Sequence, residues 1–529
     1  MKTLATLLLA LALGIIAPAG PAGAADAHSD REVVVLDSGA IAGLVQEGVR
    51  AFLGIPYAAP PRGALRWRPP QAVAPWPGVR ECTDFGPACP QPQQSATGKY
   101  DEDCLFLNVW TPAKGPGDKL PVMVWIHGGG FNFGSAAQAE YHGRRLAQKG
   151  VVVVTLNYRL GPLGFLAHPA LSRESEHQVS GNYGLLDQIA ALKWVQRNIA
   201  ALGGDPGRVT LFGQSAGSRS VSLLMISPLA QGLFQRAIAQ SGGPILGSEY
   251  LNPNFNGDFA AVSKMGQELE KRLGCAGSAD PLAGMRAKSA ADVIAAAACD
   301  TSLFSTNIFF APVFDGWVLP GNPLTAYHLG RHQPAPMIVG STLNEGTIYL
   351  TSEKDLTLAR YDQLLRARFA DQTAQAAALF PARSDAEVPH AIDRLISVAA
   401  NAEPARFVAT SLAEHGQKAF VYQFTRQPKT AWARRMGVHH GVDLAYVFGN
   451  LDEPGAYDEV DRALSGTVMG YWVNFAKTGD PNGPGLPPWP VYNRASDQYI
   501  ELGDKVAAKA HLYQEQCDFI AKVSRYLPR

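Results

Sequence analysis

The stretch RVTLFGQSAGSRSVSLLM, from Arg208 to Met225, passes from a short apolar run rich in β-branched residues into an apolar run of helical period. Ser215 lies at the change, between Gly213 and Gly217. A serine on a tight turn from a buried strand into a helix is pushed out of the sheet, and a Cβ at either glycine would crowd that turn. The stretch therefore predicts an exposed nucleophile, Ser215, at a helix N-terminus.

The composition indicates a large globular chain without bulk charge of either sign. Its 529 residues have a formal net charge of zero, with 47% hydrophobic and 17% charged residues. Such a chain can bury a large core, and it lacks the excess positive charge that binds nucleic acid or an anionic membrane surface. We therefore expect no nucleic-acid partner and look for a local, chemical function.

Residues 1–24 have the pattern of a secretory signal peptide. Lys2 precedes an apolar run from Leu4 to Ala17, and small residues follow at 22–24. The run is shorter than the roughly 20 apolar residues of a membrane-spanning helix. We expect the chain to be secreted or periplasmic, without stable insertion into a membrane.

Five short apolar runs predict strands that are buried on both faces of a sheet. They are Pro121–His127, Val151–Tyr158, Arg208–Phe212, Pro336–Ser341 and Ala419–Phe424. An amphipathic segment, 182–206, separates the second run from the third and predicts a helix. Strand, helix and strand in this order imply a parallel crossover. We predict an α/β fold, with a helical insertion around 248–310 covering the sheet.

The motif HGGGF, His127 to Phe131, follows directly after a predicted strand. Consecutive glycines carry a high entropic cost unless backbone N–H groups must approach something closely. An oxyanion is the expected object, because two or three aimed amides stabilise the negative charge of an acyl-transfer intermediate. We predict Gly129, Gly130 and Ala216 as the donors.

A serine hydroxyl becomes a nucleophile when a histidine takes its proton and a carboxylate orients that histidine. Glu345 stands just past a predicted strand, and His439 and His440 stand after the last one. Both segments suit a fold in which the chain order is serine, acid and histidine. The residues alone leave further candidates open: Asp315, Asp443 and His328.

With these features the chain resembles the type B carboxylesterases, the cholinesterase-like and para-nitrobenzyl-esterase-like branch of the α/β-hydrolases. Seven motifs carry the resemblance, in the family's order. They are EDCLFLNVWTP (102–112), HGGGF (127–131), NYRLGPLGFL (157–166), GNYGLLDQIAALKWVQRNIAALGGDP (181–206), GQSAGS (213–218), NEG (344–346) and HHGVDLAYVFG (439–449).

The resemblance implies an α/β-hydrolase fold with a large, mostly parallel sheet and roles for particular residues. Ser215 is the implied nucleophile, Glu345 the triad acid and His440 the base, with the oxyanion hole already described. The resemblance implies a disulfide between Cys89 and Cys104. It also implies a structural ion pair formed by Glu102 and Arg159, which are therefore not counted as catalytic.

The sequence departs from the family's pattern at several positions. Gln214 stands where the family usually has glutamate, so we expect hydrolysis with altered pH dependence. The loop between Cys89 and Cys104 has no tryptophan, which choline-hydrolysing relatives use to hold a quaternary ammonium, so choline esters are not the favoured substrates. Gly284 and Glu403 replace cysteines of many relatives. Cys275 is then a candidate partner for Cys299, whereas Cys82 and Cys517 remain unassigned.

We expect a single domain, 29–529, that is an exported, monomeric serine hydrolase of small carboxylic esters, with no metal and no organic cofactor. The expected route is a two-step reaction through an acyl-enzyme. An amidase or carbamate hydrolase with the same triad is the first alternative. A non-catalytic, cholinesterase-like binding protein is the second, and the presence of all three triad residues argues against it.

Overall fold

A computed structural model describes residues 31–92, 98–244, 259–298, 310–351 and 353–523. The predicted leader, 1–24, and Cys299 lie outside the described residues. So do parts of the expected insertion, at 245–258 and 299–309.

One large sheet organises the described residues. Its strands are β1 Arg31–Leu36, β2 Gly39–Gln46, β3 Val49–Pro56, β4 Val79–Glu81, β5 Phe106–Thr111, β6 Leu120–Ile126, β7 Val152–Leu156, β8 Gly204–Gln214, β9 Arg236–Gln240, β10 Met337–Thr342, β11 Ala419–Phe424, β12 Gln498–Leu502 and β13 Ala507–Ala510.

Helices cover both faces of this sheet. They are α1 Arg144–Ala147, α2 Gly161–Phe165, α3 Pro169–Glu174, α4 Tyr183–Asn198, α5 Ala216–Leu224, α6 Phe259–Arg272, α7 Pro281–Ala287, α8 Ala290–Ala296, α9 Pro323–His328, α10 Leu358–Phe369, α11 Thr373–Leu379, α12 Val388–Ser397, α13 Glu403–Glu414, α14 Ala431–Met436, α15 Leu444–Phe448, α16 Glu459–Thr478 and α17 Gln514–Val523. None of the helices within the described ranges is long and apolar enough to span a bilayer.

The strands follow the order β1-β2-β3-β5-β7-β6-β8-β9-β10-β11-β12-β13, and β4 pairs with β2. Pairing is parallel from β7 through β6 to β12 and antiparallel at both edges. The carboxyl ends of the central parallel strands therefore meet at one edge of the sheet, where open α/β sheets bind their ligands. The predicted α/β fold with a mostly parallel sheet is confirmed.

Alternation along β6 explains how the sheet is held on both faces. Val122, Val124 and Ile126 pack into a core shared with α4 and α5, whereas Met123 and Trp125 pack into a second core shared with α16. Because both faces are buried, both sets of alternating residues are apolar, which is why the strand reads as a continuous apolar run.

The five predicted strands correspond to β6, β7, β8, β10 and β11, and the predicted helix to α4. The strands at the edges of the sheet were harder to predict from the sequence. The proline-rich region before Pro121 contains β1 to β5, which form most of one antiparallel edge. In the range expected as an insertion, the described part contains α6, α7 and α8, between β9 and β10.

The ion pair implied for Glu102 and Arg159 is wrong. Arg66 holds Glu102, with Nη2 2.5 Å from Oε2. Arg159 donates to Asp187 from Nη2 at 2.7 Å and from Nε at 2.8 Å. The second turn of α4 carries Asp187 to the chain that leaves β7, so each charge finds a nearer partner of opposite sign. Two separate buried ion pairs result.

The Cys89–Cys104 disulfide is present, with Cα atoms 5.0 Å apart. Cys82, Cys275 and Cys517 are buried and form no disulfide with a described residue. Burial raises the pKa of the Cys82 thiol to about 11, which keeps it protonated and unreactive at neutral pH.

The start of α5 lies in direct contact with the end of β6. A Cβ on Gly217 would stand 2.0 Å from the carbonyl oxygen of Ile126, and one on Gly213 would stand 2.6 Å from the backbone of Gly217. Real Cβ atoms do not approach backbone this closely, so both positions require glycine. The packing of α5 against the sheet depends on these two residues.

Breaking the Arg159–Asp187 pair should be strongly destabilising. Asp187→Asn leaves the Arg159 guanidinium, 4% exposed, without a countercharge, and such a change costs about 3 to 5 kcal/mol. The matched control, Asp362→Asn, breaks an exposed pair with Arg366 that water already screens, so its unfolding midpoint should stay close to that of the wild type. Urea unfolding midpoints compare the two variants, and equal shifts would contradict the assignment.

Adding a methyl group at Gly217 should be costly for a different reason. Gly217→Ala forces the start of α5 away from Ile126, and overpacking of this kind costs about 1 to 3 kcal/mol or more. Gly466→Ala is the control: Gly466 is exposed inside α16 with open space at its Cβ, so alanine should stabilise by about 1 kcal/mol. Urea unfolding reports both, and a stabilised Gly217→Ala would refute the contact.

Candidate active site

Ser215 stands alone on the turn between β8 and α5. Its φ of 58° and ψ of −122° are outside the conformations that side-chain-bearing residues usually adopt. Its N–H donates to the carbonyl of Gln240 at 2.9 Å, which ties the turn to the end of β9. The residue is partly exposed, and Oγ has no hydrogen-bond partner among the described residues. The strained turn thus presents a hydroxyl at the carboxyl edge of the sheet.

Glu345 follows β10 and is fully buried. Its Oε1 accepts from the N–H of Thr342 at 2.6 Å, and its own N–H donates to Ser397 Oγ at 2.9 Å. These bonds fix both the loop and the carboxylate, and they leave Oε2 facing His440.

His440 lies between α14 and α15, next to that carboxylate. Its Nδ1 is 2.5 Å from Glu345 Oε2, and its Nε2 is buried without a hydrogen-bond partner within the described ranges. A proton on Nδ1 donated to Glu345 leaves Nε2 as a lone-pair acceptor. The contact fixes the orientation of the ring, and Nε2 is kept out of water.

A second set of contacts joins the loops that carry these two residues. The N–H of Asn344 donates to the carbonyl of Val438 at 3.0 Å, and the N–H of Val438 donates to Asn344 Oδ1 at 3.0 Å. Asn344 and Val438 are one and two residues from the acid and the base, respectively. Their pairing sets the separation of Glu345 and His440.

The remaining candidates, His439, His328 and Asp315, do not contact Glu345 through their side chains. His439 points its Nδ1 to the carbonyl of His440 at 3.0 Å, and burial lowers its pKa. His328 is exposed at the end of α9. Asp315 Oδ1 accepts from the N–H groups of the turn at 317–319. The structure brings neither His328 nor Asp315 into the contacts of Glu345 and His440.

Asp443, a rival candidate for the triad acid, lies close to the pair without bonding to the histidine. Its Oδ2 accepts from Gln240 Nε2 at 2.9 Å and from the Tyr422 hydroxyl at 3.0 Å, while Oδ1 has no partner in the described part of the chain. Burial raises the pKa of Asp443 to about 6, and the charge of Glu345 adds to the rise. Asp443 therefore changes charge near neutral pH.

The glycine loop after β6 lies against the turn that carries Ser215. A Cβ on Gly128 would be 2.9 Å from the carbonyl oxygen of Gln214 and 3.0 Å from Ser215 Cβ. Gly129 and Gly130 have φ values of 104° and 60°, which glycine adopts at little cost. The approach is possible only because the loop has no side chains.

The predicted donors have unused N–H groups. The amides of Gly129, Gly130 and Ala216 donate to no group in the described residues, either backbone or side chain. Unpaired N–H groups beside a buried site are costly unless a ligand accepts from them. The three N–H groups therefore remain available to an acceptor that binds from outside the described residues.

Gln214, the residue before the nucleophile, is buried against the same loop. Its exposed fraction is 4%, and its Nε2 has no hydrogen-bond partner among the described residues. The amide lies at Gly128 on one side and at Gly441, next to His440, on the other. It therefore replaces a carboxylate at a position where a charge would act on the histidine.

In the described ranges, no group of three or more histidine, cysteine, aspartate or glutamate side chains could hold a metal ion.

Sequence reasoning missed Ser397 and Asn344, which fix the loops that carry Glu345 and His440. It also missed Gln240, which bonds to Asp443 and to the turn of Ser215. Gln240 ends β9 and had a readable signal, since RAIAQ is another short apolar run before a turn. Ser397 lies 52 residues from Glu345, inside a helix, and no local pattern indicated its contact.

Comparisons with known proteins identify the family of this chain. Residues 30–520 match the model of the carboxylesterase family. A fumonisin B1 esterase of Sphingopyxis macrogoltabida is 38% identical over 487 residues, which cover 89% of this chain and 86% of that protein. A para-nitrobenzyl esterase of Bacillus subtilis (strain 168) is 36% identical over 493 residues, or 90% and 95% of the two chains.

The fold agrees as well. A solved PNB esterase structure superimposes with a TM-score of 0.79 at 33% identity, covering 92% of this chain and 99% of that one. A second PNB esterase structure gives a TM-score of 0.80 at 32% identity. The chain therefore belongs to the carboxylesterase family, has the α/β-hydrolase fold and is a carboxylic ester hydrolase.

Proposed function

We propose that the protein is an exported serine hydrolase that cleaves small carboxylic esters through an acyl-enzyme on Ser215. The observation that carries the proposal is the 2.5 Å contact of Glu345 with His440 Nδ1, which leaves a buried, unpartnered Nε2. That nitrogen is the base, and the partly exposed Ser215 on its strained turn is the nucleophile.

The first half of the reaction acylates the serine. Ser215 Oγ attacks the ester carbonyl carbon while His440 Nε2 takes its proton. Glu345 stays ionised and stabilises the imidazolium that forms. The tetrahedral intermediate collapses when His440 returns the proton to the leaving alcohol, which breaks the bond from carbon to alcohol oxygen. Water then attacks the carbonyl carbon of the acyl-enzyme while His440 takes its proton. Collapse of this second intermediate returns the proton to Ser215 Oγ and releases the acid.

The unused amides of Gly129, Gly130 and Ala216 stabilise the oxyanion of both tetrahedral intermediates. Preorganised donors of this kind are worth about 3 kcal/mol each in the transition state. They need no rearrangement, because the glycine loop is already packed against the serine turn. Their fixed position favours the charged transition state over the neutral ester.

Two observations support esters as substrates and export as the destination. Both curated relatives bear names of esterases, which favours esters over amides and carbamates. The Cys89–Cys104 disulfide is typical of an oxidising compartment and agrees with the leader pattern of residues 1–24. A monomer remains our prediction for the oligomeric state.

Removing the nucleophile tests the proposal. Ser215→Ala should lower kcat/KM for para-nitrophenyl butyrate by about 10⁴-fold or more, because the acyl-enzyme can no longer form. Ser384→Ala, at an exposed serine whose side chain caps no helix, should match the wild type. Equal activity in Ser215→Ala and wild type would mean that the nucleophile lies elsewhere, and an inactive wild type would favour a binding protein.

Gln214→Glu tests how the neighbouring amide affects the base. A carboxylate at this buried site favours the imidazolium of His440, whereas catalysis requires the neutral ring. We expect hydrolysis to persist and the acidic limb of the kcat/KM profile to move upward by about half a pH unit or more. The exposed Gln231→Glu is the control. Profiles of Gln214→Glu and wild type that superimpose would contradict the expectation.

A further inference from the structure

Helix α5, which begins at the proposed nucleophile, is buried along its length except at Arg219. The buried residues are Ala216, Gly217, Ser218, Ser220, Val221, Ser222, Leu223 and Leu224. Arg219 is partly exposed, as is Ser215. The one residue of α5 that is not fully buried is therefore a cation.

Arg219 stands one helical turn from the nucleophile. Its N–H donates to the carbonyl of Ser215 at 3.0 Å. The guanidinium also acts on Tyr349, which lies near the triad acid: burial raises the pKa of the Tyr349 hydroxyl, Arg219 opposes the rise, and Glu345 adds to it. Residues four apart lie on the same face of a helix, so Arg219 shares with Ser215 the face on which both residues are partly exposed.

A cation at this position is unfavourable for the helix itself. The first turn of a helix carries partial positive charge from its unpaired N–H groups, so acidic residues are favoured there and basic residues are not. In α5 the first turn contains no acidic residue, and the amide of Ala216 is unused. Arginine here adds to a positive field that the oxyanion site already produces.

We propose that Arg219 binds a carboxylate carried by the substrate, so that the preferred substrates are esters bearing a carboxylate near the scissile bond. The inference rests on the proposed ester hydrolysis and names its substrate class. A guanidinium matches a carboxylate with two parallel N–H···O bonds and stays charged at all relevant pH. Its five donors allow it to bind a substrate while keeping other contacts.

The substrate carboxylate and the oxyanion would repel each other in a site without Arg219. The guanidinium neutralises the substrate carboxylate before the reaction. The negative charge of the oxyanion then develops beside an ion pair of zero net charge. A neutral ester gains nothing from this contact. Arg219 is thus a specificity-determining residue rather than part of the proton-transfer machinery.

The test compares each anionic ester with a neutral ester of the same shape, with an isopropyl group in place of the carboxylate. One pair carries the carboxylate on the acyl side: monoethyl glutarate and ethyl 5-methylhexanoate. The other carries it on the alcohol side: 4-acetoxybutanoate and 4-methylpentyl acetate. The readout is the ratio of kcat/KM for the anionic ester to that for the neutral one, measured by pH-stat.

We expect Arg219→Gln to lower this ratio by about tenfold or more in at least one pair, since charge-assisted hydrogen bonds are lost. Arg219→Lys keeps the charge without the fork and should fall between Arg219→Gln and the wild type. The control is Arg366→Gln, at an arginine with 70% of its side chain exposed, which should leave the ratio unchanged.

A change of less than threefold in both pairs for Arg219→Gln overturns the inference and leaves the proposed function intact, provided that the wild type cleaves the esters. A wild type that cleaves none of the four overturns both proposals. If Arg219→Gln does not fold, as judged by thermal unfolding, the wild type alone decides. Added salt should then lower kcat/KM for the anionic esters and not for the neutral ones, and equal salt dependence overturns the inference.

Discussion

The close contact of α5 with the end of β6 is the constraint on which the candidate site depends. Because Gly217 has no Cβ, α5 begins directly against the carbonyl of Ile126, and only one residue separates β8 from α5. That residue, Ser215, takes a φ of 58°. Gly128 follows β6 by two residues, so the same contact brings the glycine loop against the serine. One packing requirement thus produces both an exposed hydroxyl and a set of amides beside it.

The acid and base are held by a different principle, the satisfaction of buried polar groups. Glu345 is fully buried and accepts from a backbone N–H and a histidine, while its own N–H donates to Ser397. A carboxylate with fixed donors has no alternative orientation, so it constrains the ring of His440 as well. Of the side-chain nitrogen and oxygen atoms of Glu345 and His440, His440 Nε2 alone has no partner within the described residues. An unmet hydrogen bond at a buried atom is costly until a ligand supplies the partner.

The elements predicted from sequence are those whose cause is local. The central strands β6, β7, β8, β10 and β11 could be predicted because burial on both faces makes each of them a continuous apolar run. The tight turn at Ser215 could be predicted because its geometry restricts the residue types within five positions. Ion pairs are not local: Glu102 meets Arg66, 36 residues away, and Arg159 meets Asp187, 28 residues away. The sequence motifs around Glu102 and Arg159 indicate that these charges are buried. Their partners depend on the fold, which brings distant residues together.

Taken together, the charges around the candidate site form an ordered field. The unused amides lie on the loop after β6 and at the start of α5, which also carries Arg219. Glu345 contacts His440, and Asp443 is close enough for its charge to interact with both. Positive potential near the serine oxygen favours its anion, and negative potential behind the ring favours the imidazolium. Transfer of a proton from Ser215 to His440 moves charge along this field rather than against it. Asp443 contributes fully only above its raised pKa of about 6, so the field strengthens as the solution becomes less acidic.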